Sequence, residues 1–371
     1  MRLFGKRARE EARPALSRAG SIAEAGQWPR SYEAQVREGY AANPVAQRAV
    51  KLVAEAVAGA PLAGDAAMIA LVDAGSGGVA VLEAAAAQLL LHGNAFIQVL
   101  RDGEGGAAAL YPLRPERVAV EVDAAGWPAA YRYRVGDRAS RLAADGPRPD
   151  VIHVRSFNPL DDHYGMGCLA AASPGIAIHN AAARWNKALL DNAARPSGAL
   201  VYEPGDGGAL APDQFDRLKA EMEAGFAGAA NAGRPMLLEG GLRWQALSLS
   251  PTDMDFVALK AAAARDIALA FGVPPMLLGL PGDSTHANYR EANRAVWRMT
   301  VLPLAGALLG GIARGLAGWF PDGALRVDLD RVPALAEDRQ KLWASVKGAD
   351  FLSADEKRAL LGLDPQAGEL P

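Results

Sequence analysis

Two helical stretches stand either side of a short insert, and this arrangement limits the possible folds more than any other pattern in the chain. The first is predicted for residues 171–195, with Ser173 and Pro174 as start signals and Pro196 as a stop. The second, residues 251–273, has Thr252 and Asp255 at capping-box spacing and ends at Gly272 and Pro274. Between them, residues 196–250 carry strand-like "SGALVYE", helix-like "APDQFDRLKAEMEAGF" and strand-like "RPMLLEGGLRWQAL". A chain that leaves by one helix, turns through a strand–helix–strand unit and returns by another builds a stalk with a tip.

The remainder reads as α+β. Residues 1–40 open with the basic "MRLFGKRAREEARPALSRAG", which lacks the apolar segment of a secretory signal and is expected to be a flexible arm. A helix follows, with Asn43 as N-cap, Pro44 in its first turn, Val50, Val53 and Val57 as its apolar stripe, and Gly59 and Pro61 at its end. A second apolar helix from Val79 leads to "NAFIQVL" and "AALYPL", strands joined through "RDGEGG"; "YRYRV" and "DVIHVRSF" are expected to continue that sheet. Beyond a loop at 274–288, Asn288 and Glu291 have capping-box spacing. The helix they start is predicted to reach about Phe320 and to bend at Pro303, which has no backbone donor. At 1.5 Å per residue such a rod is about 46 Å long. "ALRVDLD" is a late strand, and two short helices close the chain, the last between Ser353 with Glu356 and Gly362.

Composition narrows the function classes. The 371 residues are 50% hydrophobic and 22% charged, with a formal net charge of −3. That is a globular balance without the cationic excess of a nonspecific nucleic-acid binder. The most apolar run, Val301 to Ala313, is interrupted by Pro303 and stopped by Arg314, short of the roughly 20 residues of a membrane span. Cys168 is the single cysteine, which excludes an internal disulfide framework and a multi-cysteine zinc site. Asp161, Asp162 and His163 are adjacent and read as a solvated turn. The glycine clusters "GSGG", "GEGG" and "GDGG" lack the lysine and helix of a phosphate loop. No cofactor or metal is expected.

Asp283, Ser284, Thr285 and His286 fill a polar loop without lysine or arginine. Three triad residue types so close together cannot converge as a nucleophile, a base and an orienting group do, and no G-x-S-x-G elbow exists. No catalytic residue is expected. Arg290, Arg294 and Arg298 recur every fourth position and share a helix face. A solvated face, or ion pairs with a neighbouring subunit, is expected for them ahead of contact with nucleic acid. A small hydrolase using Ser284 and His286, or a monomeric helical scaffold, remain the alternatives to an assembly component.

The segments "NPVAQRAVKLVAEAVAGAPL", "LLLHGNAFIQVLRDGEG", "LYPLRPERV" and "DVIHVRSFNPLDDHYGMGCLAAA" carry a resemblance, in order, with "NAARPSGAL", "NAGRPMLLEGGLRWQALSLSPTDMDF", "IALAFGVPPMLLG" and "DSTHANYREANRAVWRMTVLPL". The series resembles the portal proteins of tailed bacteriophages, in the branch with long non-contractile tails, and of phage-derived gene transfer agents. The resemblance implies a ring, usually of twelve subunits, at a capsid vertex of a virion or gene transfer agent particle, through which double-stranded DNA is packaged and ejected. It implies an N-terminal arm (1–40), a wing (41–170), stem helices (171–195 and 251–273), a clip (196–250), a tunnel loop (274–288), a long kinked helix returning to the wing (289–331) and a short crown (332–371). Asp283, Ser284, Thr285 and His286 would then line the DNA channel. Asp213, Asp216, Arg217, Lys219, Glu221 and Glu223 on the clip helix would dock the terminase large subunit and the head-tail adaptor; the major capsid protein would surround the ring.

Overall fold

The computed structural model describes residues 31–74, 80–191, 198–202, 242–246, 256–280 and 285–363, with most of 211–220. They fall into two compact units, one made of residues up to 172 and from 268 onward, the other of residues 173–267. The first unit opens with helix α1 (Tyr32–Val36), capped by Ser31 and followed by a π turn (Arg37–Ala41). These residues belong to the stretch expected to be an arm. The Tyr32 ring stands edge-on to His92 at 4.6 Å, which ties them to the core.

Helix α2 (Pro44–Ala58) starts as its sequence dictates: the Asn43 Oδ1 accepts from the backbone N–H groups of Val45 and Ala46 at 3.1 and 3.0 Å. Val50, Val53 and Val57 are fully buried. Strand β1 (Leu62–Gly64) and helix α3 (Ala66–Asp73) come next, both too short to stand out in the sequence. Helix α4 (Val81–His92) packs on α2 and ends at Gly93, whose φ of 83° no other residue type adopts cheaply.

Strands β2 (Asn94–Arg101) and β3 (Ala107–Leu113) form the expected hairpin. Strands β4 (Val118–Val122), β5 (Pro128–Val135) and β6 (Arg138–Ala143) form a separate antiparallel sheet, and β7 (Val151–Arg155) returns to pair with β2. "YRYRV" therefore does not continue the first sheet. A core of Phe96, Leu113, Val118, Val120, Tyr131 and Val151 joins the two sheets.

Helix α5 (Cys168–Asp191) begins before Ser173, so Pro174 lies inside it and deletes one helical hydrogen bond. In the second unit α5 faces α6 (Phe256–Ala270) closely at Gly175, where a Cβ would stand 3.2 Å from the Ala263 carbonyl. Strands β8 (Gly198–Tyr202) and β9 (Leu242–Ala246) pair antiparallel in that unit. The start signals Thr252 and Asp255 lie outside the described residues.

The long helix of the first unit starts at His286, with the Thr285 hydroxyl accepting from the Asn288 N–H at 3.2 Å, rather than at an Asn288–Glu291 box. It comprises α7 (His286–Val296), a π turn (Trp297–Val301) and α8 (Leu302–Leu316). By length and composition the stretch Ala287–Leu316 could cross a membrane. Its apolar side, however, lies on the unit's own sheet: a Cβ on Gly311 would come within 2.5 Å of Val154 Cγ2, and one on Gly315 would meet Ile152. Strand β10 (Leu325–Val327) pairs with β1. Helices α9 (Ala336–Lys347) and α10 (Ala354–Leu361) follow, the last with both hydrogen bonds of the Ser353–Glu356 capping box.

Asn94 sits fully buried where α4 meets β2. Its amide nitrogen donates to the Gly165 carbonyl at 3.2 Å and lies 3.0 Å from His92 Nδ1; its oxygen accepts from the Gly165 N–H at 2.8 Å and from His153 Nε2 at 2.9 Å. His153 stacks on Phe96 at 4.1 Å. Burial depresses the pKa of His92 to about 4 and, with the nearby Arg155 cation, that of His153 to about 3. Both are neutral when folded and near 6.5 when unfolded. Depressed folded values mean that their contribution is whole above about pH 6.5 and shrinks as the pH falls toward the folded values. Urea unfolding should show stability declining from pH 6.5 to 5, and His153→Gln, whose amide can still donate to Asn94, should flatten that slope. Equal slopes in the two proteins would remove His153 as its cause.

Candidate functional site

Around residues 268–300 the chain reverses between α6 and α7. The N–H groups of Gly272 and Val273 bond the Leu269 and Ala268 carbonyls at 3.0 and 2.9 Å, the paired pattern of a helix end with glycine in the left-handed region. The Thr300 hydroxyl donates to the Gly272 carbonyl at 2.7 Å, fixing α6's end against the π turn. A 3-10 turn (Pro275–Leu278) and Gly279, φ 73°, carry the chain on. Of the polar loop residues, Thr285 is exposed and caps α7, and His286 is the first helical residue. Asp283 and Ser284 lie outside the described residues, so their expected place along a channel is not observed. The expected loop is nevertheless shorter than read, because His286 through Tyr289 already form a helical turn.

Arg290, Arg294 and Arg298 do share one face of the long helix, but their acidic partners belong to the same chain. Glu337 and Asp338 stand in the first turn of α9. The Glu337 carboxylate lies 3.2 Å from Arg290 Nη1 and 2.8 Å from Arg294 Nη2; Asp338 Oδ2 lies 3.5 Å from Arg294 Nε and 3.9 Å from Arg298 Nη1. Glu291, one turn away, adds a 3.1 Å contact to Arg294. Within one chain, each of the three arginines thus already has an acidic partner. The sequence signal was "AEDRQ", which places two acids where a helix N-terminus favours negative charge.

On the insert, Asp213, Asp216 and Arg217 are helical and exposed. Lys219, Glu221 and Glu223 lie outside the described residues. In the same unit Ile178, Trp185, Val257 and Leu259 are exposed apolar side chains on α5 and α6, while Ile176, Ala182, Ala263, Ala264 and Ile267 are buried.

The other candidate chemistry resolves into structure. Asp161 Oδ1 accepts from the His163 and Tyr164 N–H groups at 2.7 and 3.0 Å, closing a turn; the Asp162 carbonyl accepts from Arg155. Among the described residues no group of three His, Cys, Asp or Glu could hold a metal ion. Burial pushes the Cys168 thiol above its ordinary pKa, the opposite of what a nucleophile needs. The Asn94 hub was not legible in the sequence, because His92, Asn94, His153 and Gly165 converge only through the pairing of β7 with β2.

The arginine face therefore works as a clasp between α7 and α9. Arg294 carries most of it, with its side chain 16% exposed against 59% for Arg290 and 66% for Arg298. Arg294→Ala should lower unfolding stability by about 1.5–3 kcal/mol, and Arg290→Ala or Arg298→Ala by less than about 1 kcal/mol. Equal small losses at all three positions in urea unfolding would mean that other contacts hold α9 in place.

Comparison with known proteins identifies the family. Residues 44–362 match the phage portal protein family. In the neck of a native gene transfer agent particle, computed with C12 symmetry, a chain 50% identical to this one superposes with a TM-score of 0.70, covering 91% of this chain and 95% of that one. A protein of Rickettsia felis is 43% identical over 286 residues, 75% of this chain and 72% of its own length. The probable portal protein of Streptomyces phage phiC31 is 26% identical over 299 residues, 78% of this chain and 65% of its own. A mixed α+β fold, helices that carry charge clasps in place of active-site groups, and a match over most of the chain lead to one conclusion: this chain belongs to the phage portal protein family, whose members are structural proteins and not enzymes.

Proposed function

We propose that the chain is the portal subunit of a gene transfer agent particle, closing with copies of itself into a ring of twelve at one capsid vertex. Double-stranded DNA passes through the ring when the particle is filled and emptied. The single observation that carries this reading is the 50% identity, over 91% of the chain, with a component of a particle neck computed with C12 symmetry. Head-to-tail contacts that close on themselves suit such a ring. The exposed Ile178, Trp185, Val257 and Leu259 on α5 and α6 supply apolar surface for them that one copy leaves uncovered.

In this reading residues 41–170 are the wing, α5 and α6 the stem, 196–250 the clip and 332–371 the crown. The clip has four basic and seven acidic residues, and its Asp213, Asp216, Arg217, Lys219, Glu221 and Glu223 meet the terminase large subunit and then the head-tail adaptor. The loop from 274 to the start of α7, with Asp283, Ser284, Thr285 and His286, faces the DNA. A sliding duplex must not be gripped, and each phosphate neutralised steepens the salt dependence of binding by about 0.9. Between Val273 and Tyr289 the sequence has no lysine or arginine. The first cation beyond it, Arg290, is already paired with Glu337.

Size-exclusion chromatography with light scattering tests the ring: a species of about twelve times the 38.8 kDa subunit is expected, and a monodisperse monomer at micromolar concentration would count against it. Replacing 283–286 with glycines should leave that mass unchanged and reduce the DNA retained after packaging. Full retention would show that the loop does not face the duplex.

A further inference from the structure

The sheet β4–β5–β6 has two faces of opposite character. Tyr131, Tyr133 and Leu142 turn into the core cluster. On the other face Arg132 stands directly opposite Arg141 on β6 and Ala119 on β4, and Arg134 opposite Ala139. Like charges directly opposite each other repel, and Glu121 relieves this pair. Its Oε1 accepts from Arg132 Nε at 2.8 Å and its Oε2 from Arg141 Nε at 2.8 Å. The two guanidinium groups hold the Glu121 carboxyl below its ordinary pKa. One carboxylate balances only one of them.

Further out, every residue from Arg134 to Arg141 is exposed, and neither Arg134 nor Arg138 is ion-paired among the described residues. Arg138, opposite Val135, belongs to the other face of the sheet. With Glu121 set against Arg132, Arg134 and Arg141, the arginine face holds a surplus of two positive charges in a chain whose net charge is −3. A bland role exists for part of it: β6 is an edge strand, and cations on an edge discourage pairing with another chain. That role does not reach Arg132 and Arg134, which stand on the central strand β5.

The chemistry of the face selects its partner. A protein interface is anchored by buried aromatic or aliphatic side chains, and here the positions beside the arginines are Ala119 and Ala139. Guanidinium forks match phosphate oxygens in pairs, and residues two apart on a strand repeat every 6.6 Å or about that. No asparagine or glutamine shares the face to read a base edge. We propose that the arginine face of the β5–β6 hairpin binds the phosphate backbone of double-stranded DNA without regard to sequence. The proposed ring would repeat it on every copy and multiply weak contacts; only that amplification rests on the ring reading.

Closed circular duplex DNA cannot thread a closed ring, so it leaves the channel out of the measurement. Filter binding of such DNA to the full-length assembled chain, from 50 to 200 mM NaCl, should show binding that weakens steeply with salt. Arg134→Glu leaves the Glu121 clasp intact and should weaken binding at least about fivefold, and lower the salt slope by roughly one per bound copy. Arg134→Lys should keep the slope. Light scattering on the same samples separates the two readings: a monomer that still binds DNA through these arginines sinks the ring and spares this site. Absence of binding by the unaltered chain at 50 mM NaCl, or unchanged binding by the glutamate variant, overturns the proposal. So does loss of the assembled mass with DNA binding retained, which would make the face a contact between copies.

Discussion

A carboxamide removed from solvent must find partners for both its oxygen and its nitrogen, and at Asn94 those partners come from three separate segments. The end of α4 supplies His92, β7 supplies His153, and the loop before α5 supplies both backbone groups of Gly165. The segments approach closely enough only because glycines stand at the crossing: a Cβ on Gly93 would meet the Met166 backbone, and one on Gly167 the Leu91 carbonyl. The hub thereby sets the order β3–β2–β7, since it holds β7 beside β2 across an excursion of more than forty residues through the second sheet. It also anchors the loop that leads into α5, since Gly165 stands three residues before Cys168.

What could be read from the sequence was local. Asn43 and Ser353 cap their helices, and Gly272 ends α6, because each signal lies within a few residues of the backbone groups it satisfies. The position of α7 was misread for a related reason: Thr285 and Asn288 both precede a glutamate or amide at plausible spacing, and only the backbone shows which one accepts. Pairings across long distances were not legible. Nothing in "YRYRV" says that it faces "VAVEV" and not "NAFIQVL", and nothing in the arginine repeat says that Glu337, more than forty residues on, is its partner. Thr285, Asp213, Asp216 and Arg217 are exposed, as polar side chains at a helix start or on a charged helix face are expected to be.

Among the described residues several arginines are neutralised within the chain. Arg294 closes on Glu291, Glu337 and Asp338, Arg339 donates to Asp330 at 2.6 Å, and Arg101 donates to Asp150 at 2.6 Å while lying over the Trp319 ring. Internal neutralisation of this kind keeps a surface from acting as a general polyanion trap. It also makes any cation left without a carboxylate more informative than its number alone suggests.

The π turn at Trp297–Val301 has a geometric consequence for the long helix. Along its buried side the residues Val296, Val301, Ala305, Leu308, Ile312 and Leu316 follow at intervals of five, four, three, four and four. The interval of five is out of phase with a 3.6-residue repeat, and an uninterrupted α-helix would turn Val301 away from Val296 by more than a right angle from the seam. The wider turn absorbs the surplus residue just ahead of Pro303, whose missing N–H makes a regular α bond there impossible anyway. The π turn thereby keeps the arginine clasp on α7 and the sheet contact on α8 in fixed relation despite the extra residue. A single-residue deletion within 297–301 would leave an interval of four, which a regular α-helix holds on the same seam, whereas an insertion there would rotate one contact relative to the other.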